Sequence, residues 1–438
     1  MIQFIADILT KNLPVRNGCL AIISEEGERL SYQELNEKAN TAAGNLLTLG
    51  IKKGDRVALL LPNCPEFIIS FFALTKIGAV PVPIGTRNRK LEIEHILSHS
   101  GAKAVISVSH FEGYNFQEVL EEITQGLKVL RYVIILNGDP LPQMKPFKPY
   151  SILQKSIGLS EWRSILKKLD AIRKGLKRDS LALMLYTSGT TGDPKGVTLS
   201  HLNVIETLKR INKTLQAKAE DVYLLVVPVT SSLGCVTTML RAMLAGATVV
   251  LIRQFKAKRV LEVMEKERVT IEVGVPTMLV LQLMVPELYQ YDLSSLRSIF
   301  MSGADCLPEV IKEIEAKMYC RVYVGYGLTE STSYVTLTRL EDPDEIRLHT
   351  VGRPIPGQKI KIVDQHGRKR KSGEVGEVMI KGCSVMLGYF KQPALNRRTI
   401  QNGWMATGDL GSIDPEGNLE LSGRKKDLII RGGFNIYP

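Results

Sequence analysis

Tyr186-Thr187-Ser188-Gly189-Thr190-Thr191-Gly192-Asp193-Pro194-Lys195-Gly196 follows directly on an apolar run, residues 181–185, that reads as a buried strand. Glycines let backbone N–H groups close on an oxyanion, and the Thr and Ser hydroxyls can donate to phosphate oxygens or ligate a metal. Lys195 adds a point charge suited to a polyphosphate. The loop is not a Walker A motif, because Asp-Pro-Lys-Gly follows Gly192 where Gly-Lys-Ser/Thr would be required. A Gly/Thr/Ser loop taken alone is either a phosphate cradle or a simple turn.

Three further segments stand downstream of it. They are Tyr326-Gly327-Leu328-Thr329-Glu330, then Gly403-Trp404-Met405-Ala406-Thr407-Gly408-Asp409, then Gly423-Arg424-Lys425-Lys426-Asp427 followed by Gly433-Phe434-Asn435-Ile436-Tyr437-Pro438. With the loop at 186–196 they resemble, in order, the signature, second core, ribose-binding and hinge motifs of the adenylate-forming superfamily. That superfamily holds the acyl-CoA synthetases, the luciferases and the adenylation domains of peptide synthetases. Weaker resemblance runs from Leu30 to the last residue.

At 438 residues the chain exceeds one ordinary core, so two or more packed subdomains are expected. Its 44% apolar and 23% charged residues are those of a soluble globular protein. No apolar run reaches membrane-spanning length, and Asp7 interrupts the first apolar stretch, so no secretory pattern opens the chain. The six cysteines are scattered without CxxC spacing, which fits reduced thiols and a cytoplasmic protein. The net charge of +12 suits ATP, CoA or an anionic membrane surface. Much of it lies in residues 145–178, either a solvated basic connector or a membrane- or nucleotide-facing patch. Neither a nucleic-acid motif nor interleaved aromatics accompany it, so nucleic acid is not an expected partner.

The first third alternates helix and strand patterns. Ser31-Tyr32-Gln33-Glu34 has capping-box spacing and opens a helix with Leu35, Ala39, Ala42, Ala43 and Leu46 on one face. Strands at 56–61, 80–84 and 102–108 alternate with helices at 65–77 and 91–99, which implies a parallel sheet. A second series begins with the strand before the signature loop. It continues with a helix from Ser200, strands at 222–227, 248–252, 270–275 and 297–301, and helices around 236–244 and 257–266. From Gly357 the pattern changes to short strands and turns, as in a small antiparallel barrel or sheet. The expected fold is therefore α/β, with two doubly wound subdomains and a small antiparallel β-barrel. The resemblance implies a large N-terminal adenylation domain over residues 1–421 and a hinge segment over 422–438. It also implies that the mobile C-terminal domain of the family is absent. Because the family carries a lysine for adenylation and half of its thiol tunnel on that domain, this chain is expected to be strongly impaired.

Joining a carboxylate to the α-phosphate of ATP needs charge neutralisation and positioning more than a protein base, since the acid is already ionised. By resemblance, Thr187, Ser188, Gly189, Thr190, Thr191, Gly192 and Lys195 cradle the phosphates. Thr187 and Glu330 correspond to the pair that places Mg²⁺, Glu330 being otherwise a surface or capping carboxylate. Tyr326 corresponds to the aromatic that stacks on adenine, beside a strand edge of Gly303, Ala304 and Asp305; singly, Tyr326 reads equally as core. Gly327 belongs to the same motif, and Thr329 corresponds to the hydroxyl that contacts the α-phosphate. Asp409, with Arg424 as complementary donor, corresponds to the ribose contact. Lys426 matches the hinge position.

The acyl pocket departs from the family pattern. In Pro228-Val229-Thr230-Ser231-Ser232-Leu233-Gly234, Ser231 replaces the His that many acyl-CoA synthetases carry, so a more open entrance is expected. Ser232 stands where amino-acid-activating domains place an Asp against the substrate ammonium. An α-amino acid would leave that charge unpaired, which disfavours it. Val275 and Thr277, with Val273 and Met278, line an apolar cavity or simply pack in the core. The expected activity is ATP-dependent activation of an apolar, fatty carboxylic acid and its transfer to CoA. An acyl-AMP ligase serving an acyl carrier protein and a catalytically silent ligand-binding module remain as alternatives. A peripheral membrane contact is compatible with the charge.

Overall fold

The computed structural model describes residues 2–16, 18–138, 147–187, 193–425, 429–431 and 434–436. Nine strands form the larger sheet, in the order Arg353–Pro354, Tyr334–Leu337, Arg321–Gly327, Ser298–Met301, Ile271–Gly274, Val222–Leu225, Thr248–Leu251, Leu20–Ser24 and Arg29–Ser31. The strands from Arg321–Gly327 to Leu20–Ser24 run parallel, and antiparallel strands close both edges. Strands covered on both faces read as continuous apolar runs, and Ser298–Met301 is buried at every position. On one face the helices Ala257–Lys266, Pro276–Leu283 and Pro308–Met318 pack Val260, Leu279 and Ile311 against Ile299 and Met301.

A second, fully parallel sheet has the order Val80–Pro83, Arg56–Leu60, Ala104–Val108, Tyr132–Leu136, Phe147–Pro149. The helix Pro65–Lys76 lies on it, and the helix Tyr32–Thr48 packs against that helix and starts at the expected capping box. The Ser31 hydroxyl accepts from the Glu34 N–H at 3.2 Å, while the Ser31 N–H donates to the Glu34 carboxylate at 2.8 Å. Helices that the sequence reading did not mark include Asp7–Arg16, Phe116–Thr124, Pro276–Leu283, Pro308–Met318, and Leu159–Lys174 inside the basic stretch. Arg173 pairs with the buried Asp7 at 2.6 Å, so the basic segment is partly folded structure.

The strand before the signature loop corrects an expectation. Leu181–Thr187 does not join the parallel series; it pairs antiparallel with Lys195–Ser200, which pairs in turn with Gly388–Tyr389. Only seven residues separate the two strands, too few for the crossover that parallel pairing demands. The helix expected near 236–244 begins earlier, as a π-helical stretch Leu233–Leu240 running into Arg241–Ala245. Towards the C-terminus, Gln358–Val363, Gly376–Gly382, Trp404–Ile413 and Leu419–Arg424 form an antiparallel sheet, with Ile400–Gln401 on its edge. No pairing among the described residues closes it into a barrel. Among those residues no helix is long and apolar enough to cross a membrane, and no cluster of three His, Cys, Asp or Glu side chains is poised for a metal.

Candidate active site

In open α/β sheets ligands bind beyond the carboxyl ends of the strands, and the cleft here lies there, past Gly327 at the end of Arg321–Gly327. Gly327 is required by close approach: a Cβ at this position would collide with the Ser333 carbonyl. The cleft holds about 640 Å³ and has three ends.

At the first end the signature hairpin delivers Thr187 and Lys195, which face each other in register at its mouth. Two histidines on the helix Lys90–Ser100 hold the flanks of the connecting loop. His99 Nδ1 hydrogen-bonds the Tyr186 hydroxyl at 2.8 Å, and His95 Nε2 meets the Pro194 carbonyl at 3.0 Å. Thr329 and Glu330, in a single 3₁₀ turn, line the opposite wall. Glu330 Oε1 accepts from the Tyr389 hydroxyl at 2.9 Å, and Lys195 Nζ lies 5.7 Å from the centre of the same ring. Burial, then the Glu330 charge, raises the Tyr389 pKa, so the phenol stays a donor. This end thus offers one cation, one carboxylate and several hydroxyls. Ser188, Gly189, Thr190, Thr191, Gly192 and Lys426 lie outside the described residues.

The second end is built around Asp409, 8% exposed. Its Oδ2 accepts from the Tyr326 hydroxyl at 2.7 Å, and Arg424 Nε stands 3.4 Å from Oδ1. Burial raises the Asp409 pKa, opposed by the Tyr326 bond and the Arg424 charge. An adjoining cavity of about 380 Å³ shares Gly303, Gly327, Asp409 and Arg424 with the cleft and adds Ala304, Asp305 and Tyr326. Gly303 sits at φ 88°, a backbone conformation open to glycine.

At the third end stand Ser232, Leu233, Thr237, Ser302, Ser333 and Tyr334. Thr329 donates to the Ser232 hydroxyl at 3.1 Å and so ties this end to the first. Ser231 stands outside the cleft lining; its hydroxyl donates to the Pro228 carbonyl at 2.8 Å and accepts from the Gly234 N–H at 3.0 Å, pinning a local turn. Gly234 is buried, where a Cβ would strike the Pro228 carbonyl. Val275 stands beside Gly303, outside the cleft lining, Val273 is core, and Thr277 is exposed on its helix.

Thr187, Lys195, Ser232, Gly303, Gly327, Thr329, Glu330, Asp409 and Arg424 therefore converge on one cleft. The sequence reading missed Tyr389, Thr237, Ser333 and Tyr334. Ser333 and Tyr334 lie just past a motif that was recognised, whereas nothing local marks Tyr389 or Thr237.

The family model described as AMP-binding enzyme matches residues 12–390. The long-chain-fatty-acid–CoA ligase FadD13 of Mycobacterium tuberculosis is 35% identical over 94% of this chain and 76% of its own length. The 2-hydroxy-7-methoxy-5-methyl-1-naphthoate–CoA ligase of Streptomyces carzinostaticus is 32% identical over 93% of this chain and 73% of its own. Among solved structures, the anthranilate CoA ligase AuaEII in complex with anthranoyl-AMP superposes with a TM-score of 0.88 at 25% identity, covering 100% of this chain and 81% of that one. The chain belongs to the AMP-binding enzyme family, among acyl-CoA synthetases and ligases that activate a carboxylic acid as its adenylate.

Proposed function

We propose that the cleft binds ATP and a carboxylic acid, forms the acyl-adenylate with release of pyrophosphate, and serves a CoA thiol as acceptor. The observation that carries this reading is the cleft onto which Lys195, Glu330, Asp409 and the hydroxyl-lined third end all open. Lys195 neutralises the polyphosphate, Thr329 donates towards the reacting phosphate, and Asp409 accepts from the ribose hydroxyls with Arg424 beside it. The Ser232 and Thr329 hydroxyls, 3.1 Å apart, hold the acid carboxylate near its target.

Glu330 and Thr187 suit Mg²⁺, which takes hard oxygen donors and keeps most of its shell for water and phosphate. One carboxylate and one hydroxyl on the cleft wall meet that demand. Magnesium bound there would supply charge neutralisation along the phosphates.

An apolar body for the acid is supported by Leu233 and Leu328 on the cleft wall, and no carboxylate stands at Ser232 to pair an ammonium. A fatty acid satisfies this, as does an aromatic acid. ATP–pyrophosphate exchange against a panel of fatty, aromatic and amino acids is the test. Exchange that needs both Mg²⁺ and an apolar acid is expected; exchange with no acid of the panel overturns the reading. Offering CoA and an acyl carrier protein in parallel separates the two thiol acceptors.

A further inference from the structure

The acyl end of the cleft is walled by hydroxyls. Thr237 and Ser333 share a hydrogen bond of 2.7 Å, and Ser302 and Tyr334 share one of 3.4 Å. Each hydroxyl carries one hydrogen, so each pair consumes one and keeps one to donate. An acceptor in the cleft is the group such a wall satisfies; a methyl terminus leaves both donors unmet.

With this wall stands a positive charge that has no counter-ion among the described residues. Arg241 is fully buried, at 0% exposure, and its Nε and Nη2 have no hydrogen-bond partner. Its guanidinium lies 4.3 Å from the Phe300 ring centre and 5.1 Å from that of Tyr223. Stacking returns part of the desolvation cost but leaves the donors unmet. Arg241 follows Leu233 and Thr237 at four-residue intervals along one continuous helix whose first part is π-helical, a form frequent at functional sites. Its charge also reaches the Tyr334 hydroxyl, where it opposes the rise in pKa that burial causes.

We infer that the acyl subsite selects an acid bearing a second, distal carboxylate, which the Thr237, Ser302, Ser333 and Tyr334 hydroxyls receive and the buried Arg241 charge stabilises from behind. This rests on the adenylation reading above and narrows its substrate to an apolar-bodied dicarboxylic acid. Arg241 acts through the wall, so it is a specificity residue and not a catalytic one.

The test uses non-hydrolysable acyl-sulfamoyl adenosines over a series of chain lengths, each made as a plain hydrocarbon acyl and as its ω-carboxylate, with binding measured by calorimetry. At the best-fitting length the ω-carboxylate is expected to bind about a hundredfold more tightly than its hydrocarbon match. Arg241→Met, which fills the same volume without charge, should bring that ratio near one while keeping the affinity for the hydrocarbon analogue. Arg241→Lys should retain part of the ratio, an outcome a purely structural arginine would not give. Thr237→Val, which leaves Arg241 in place, should lower the ratio independently. Equal binding of the two series, or a ratio unchanged in both Arg241→Met and Thr237→Val, overturns the inference alone. Binding of neither series overturns the adenylation reading together with it.

Discussion

The Tyr326 hydroxyl donates a 2.7 Å hydrogen bond to the Asp409 carboxylate across 83 residues of sequence. It joins the end of the strand Arg321–Gly327 in the large sheet to Trp404–Ile413 in the C-terminal sheet. Tyr326 is 7% exposed, and its phenol is held protonated by burial and by the Asp409 charge. The carboxylate is thereby oriented before nucleotide arrives, with Oδ1 turned towards Arg424. Such pre-orientation lowers the ordering cost of binding.

Removing that bond should weaken nucleotide recognition at the ribose. Asp409→Ala deletes the acceptor, and Tyr326→Phe deletes only the group that aims it. A hydrogen bond to a charged group is worth about 1.5–3 kcal/mol, so roughly a ten- to hundredfold loss of ATP affinity is expected for Asp409→Ala and less for Tyr326→Phe. Titration with ATP and 2′-deoxy-ATP checks it. An Asp409→Ala variant that still discriminates the two as the parent does would mean that Asp409 does not read the hydroxyl.

The phosphate end gives a second expectation. Glu330→Gln keeps the shape and the contact with Tyr389 but removes the charge, so it should suppress adenylation at saturating ATP far more than it weakens ATP binding. Tyr389→Phe leaves the carboxylate charged and removes one of its donors, so it should cost roughly ten- to hundredfold at most, the worth of one hydrogen bond to a charged group, and less than Glu330→Gln. Pyrophosphate release followed across a magnesium titration distinguishes the two. Parental turnover of Glu330→Gln at ordinary magnesium would remove Glu330 from metal binding.

Local patterns carried much of this fold, and their failures have physical causes. The capping box at Ser31 and Glu34 is closed within one turn, so its spacing alone exposes it. The apolar run before the signature loop looks the same whether its partner is parallel or antiparallel, and only the short connection to Lys195 decides the matter. The helix Leu159–Lys174 was hidden by its own charge, since nine of its sixteen residues are not apolar and its basic side chains read as a connector. In the cleft, Thr187, Glu330 and Asp409 were legible because each lies within a contiguous motif. Tyr389 meets Glu330 from 59 residues away, and Thr237 meets Ser333 from 96, distances over which no periodicity speaks.

Gly327 in the cleft and the buried Gly234 should tolerate no side chain. A methyl group at Gly327 would meet the Ser333 carbonyl, and one at Gly234 the Pro228 carbonyl. Both obstacles are backbone atoms and cannot rotate away. Gly327→Ala and Gly234→Ala are each expected to destabilise the protein by about 1–3 kcal/mol, the usual range for overpacking. Melting temperatures within error of the parent for either variant would show that the chain relaxes around the methyl group.

The large sheet buries a carboxyl that has no counter-ion among the described residues. Glu272 is 0% exposed, and its Oε1 accepts from Gln282 Nε2 at 2.7 Å. Glu272 Oε2 and Gln282 Oε1 both lack partners. A proton on Glu272 supplies the donor that this pair of oxygens is missing. Burial accordingly raises the Glu272 pKa from 4.5 to about 7, only partly opposed by the Gln282 bond. The folded state then binds the proton more tightly than the unfolded chain, so stability from this group is complete below pH 4.5 and declines as pH rises to about 7. A shift of that size corresponds to a loss of about 3 kcal/mol across the window. Glu272→Gln carries no titrating proton and should lack that component of the pH dependence. Chemical denaturation of both proteins from pH 5 to 8 is the measurement: the parent should lose stability relative to the variant as pH rises. Parallel pH profiles would mean that Glu272 is charged in the folded core, with a neutralising partner supplied by another route.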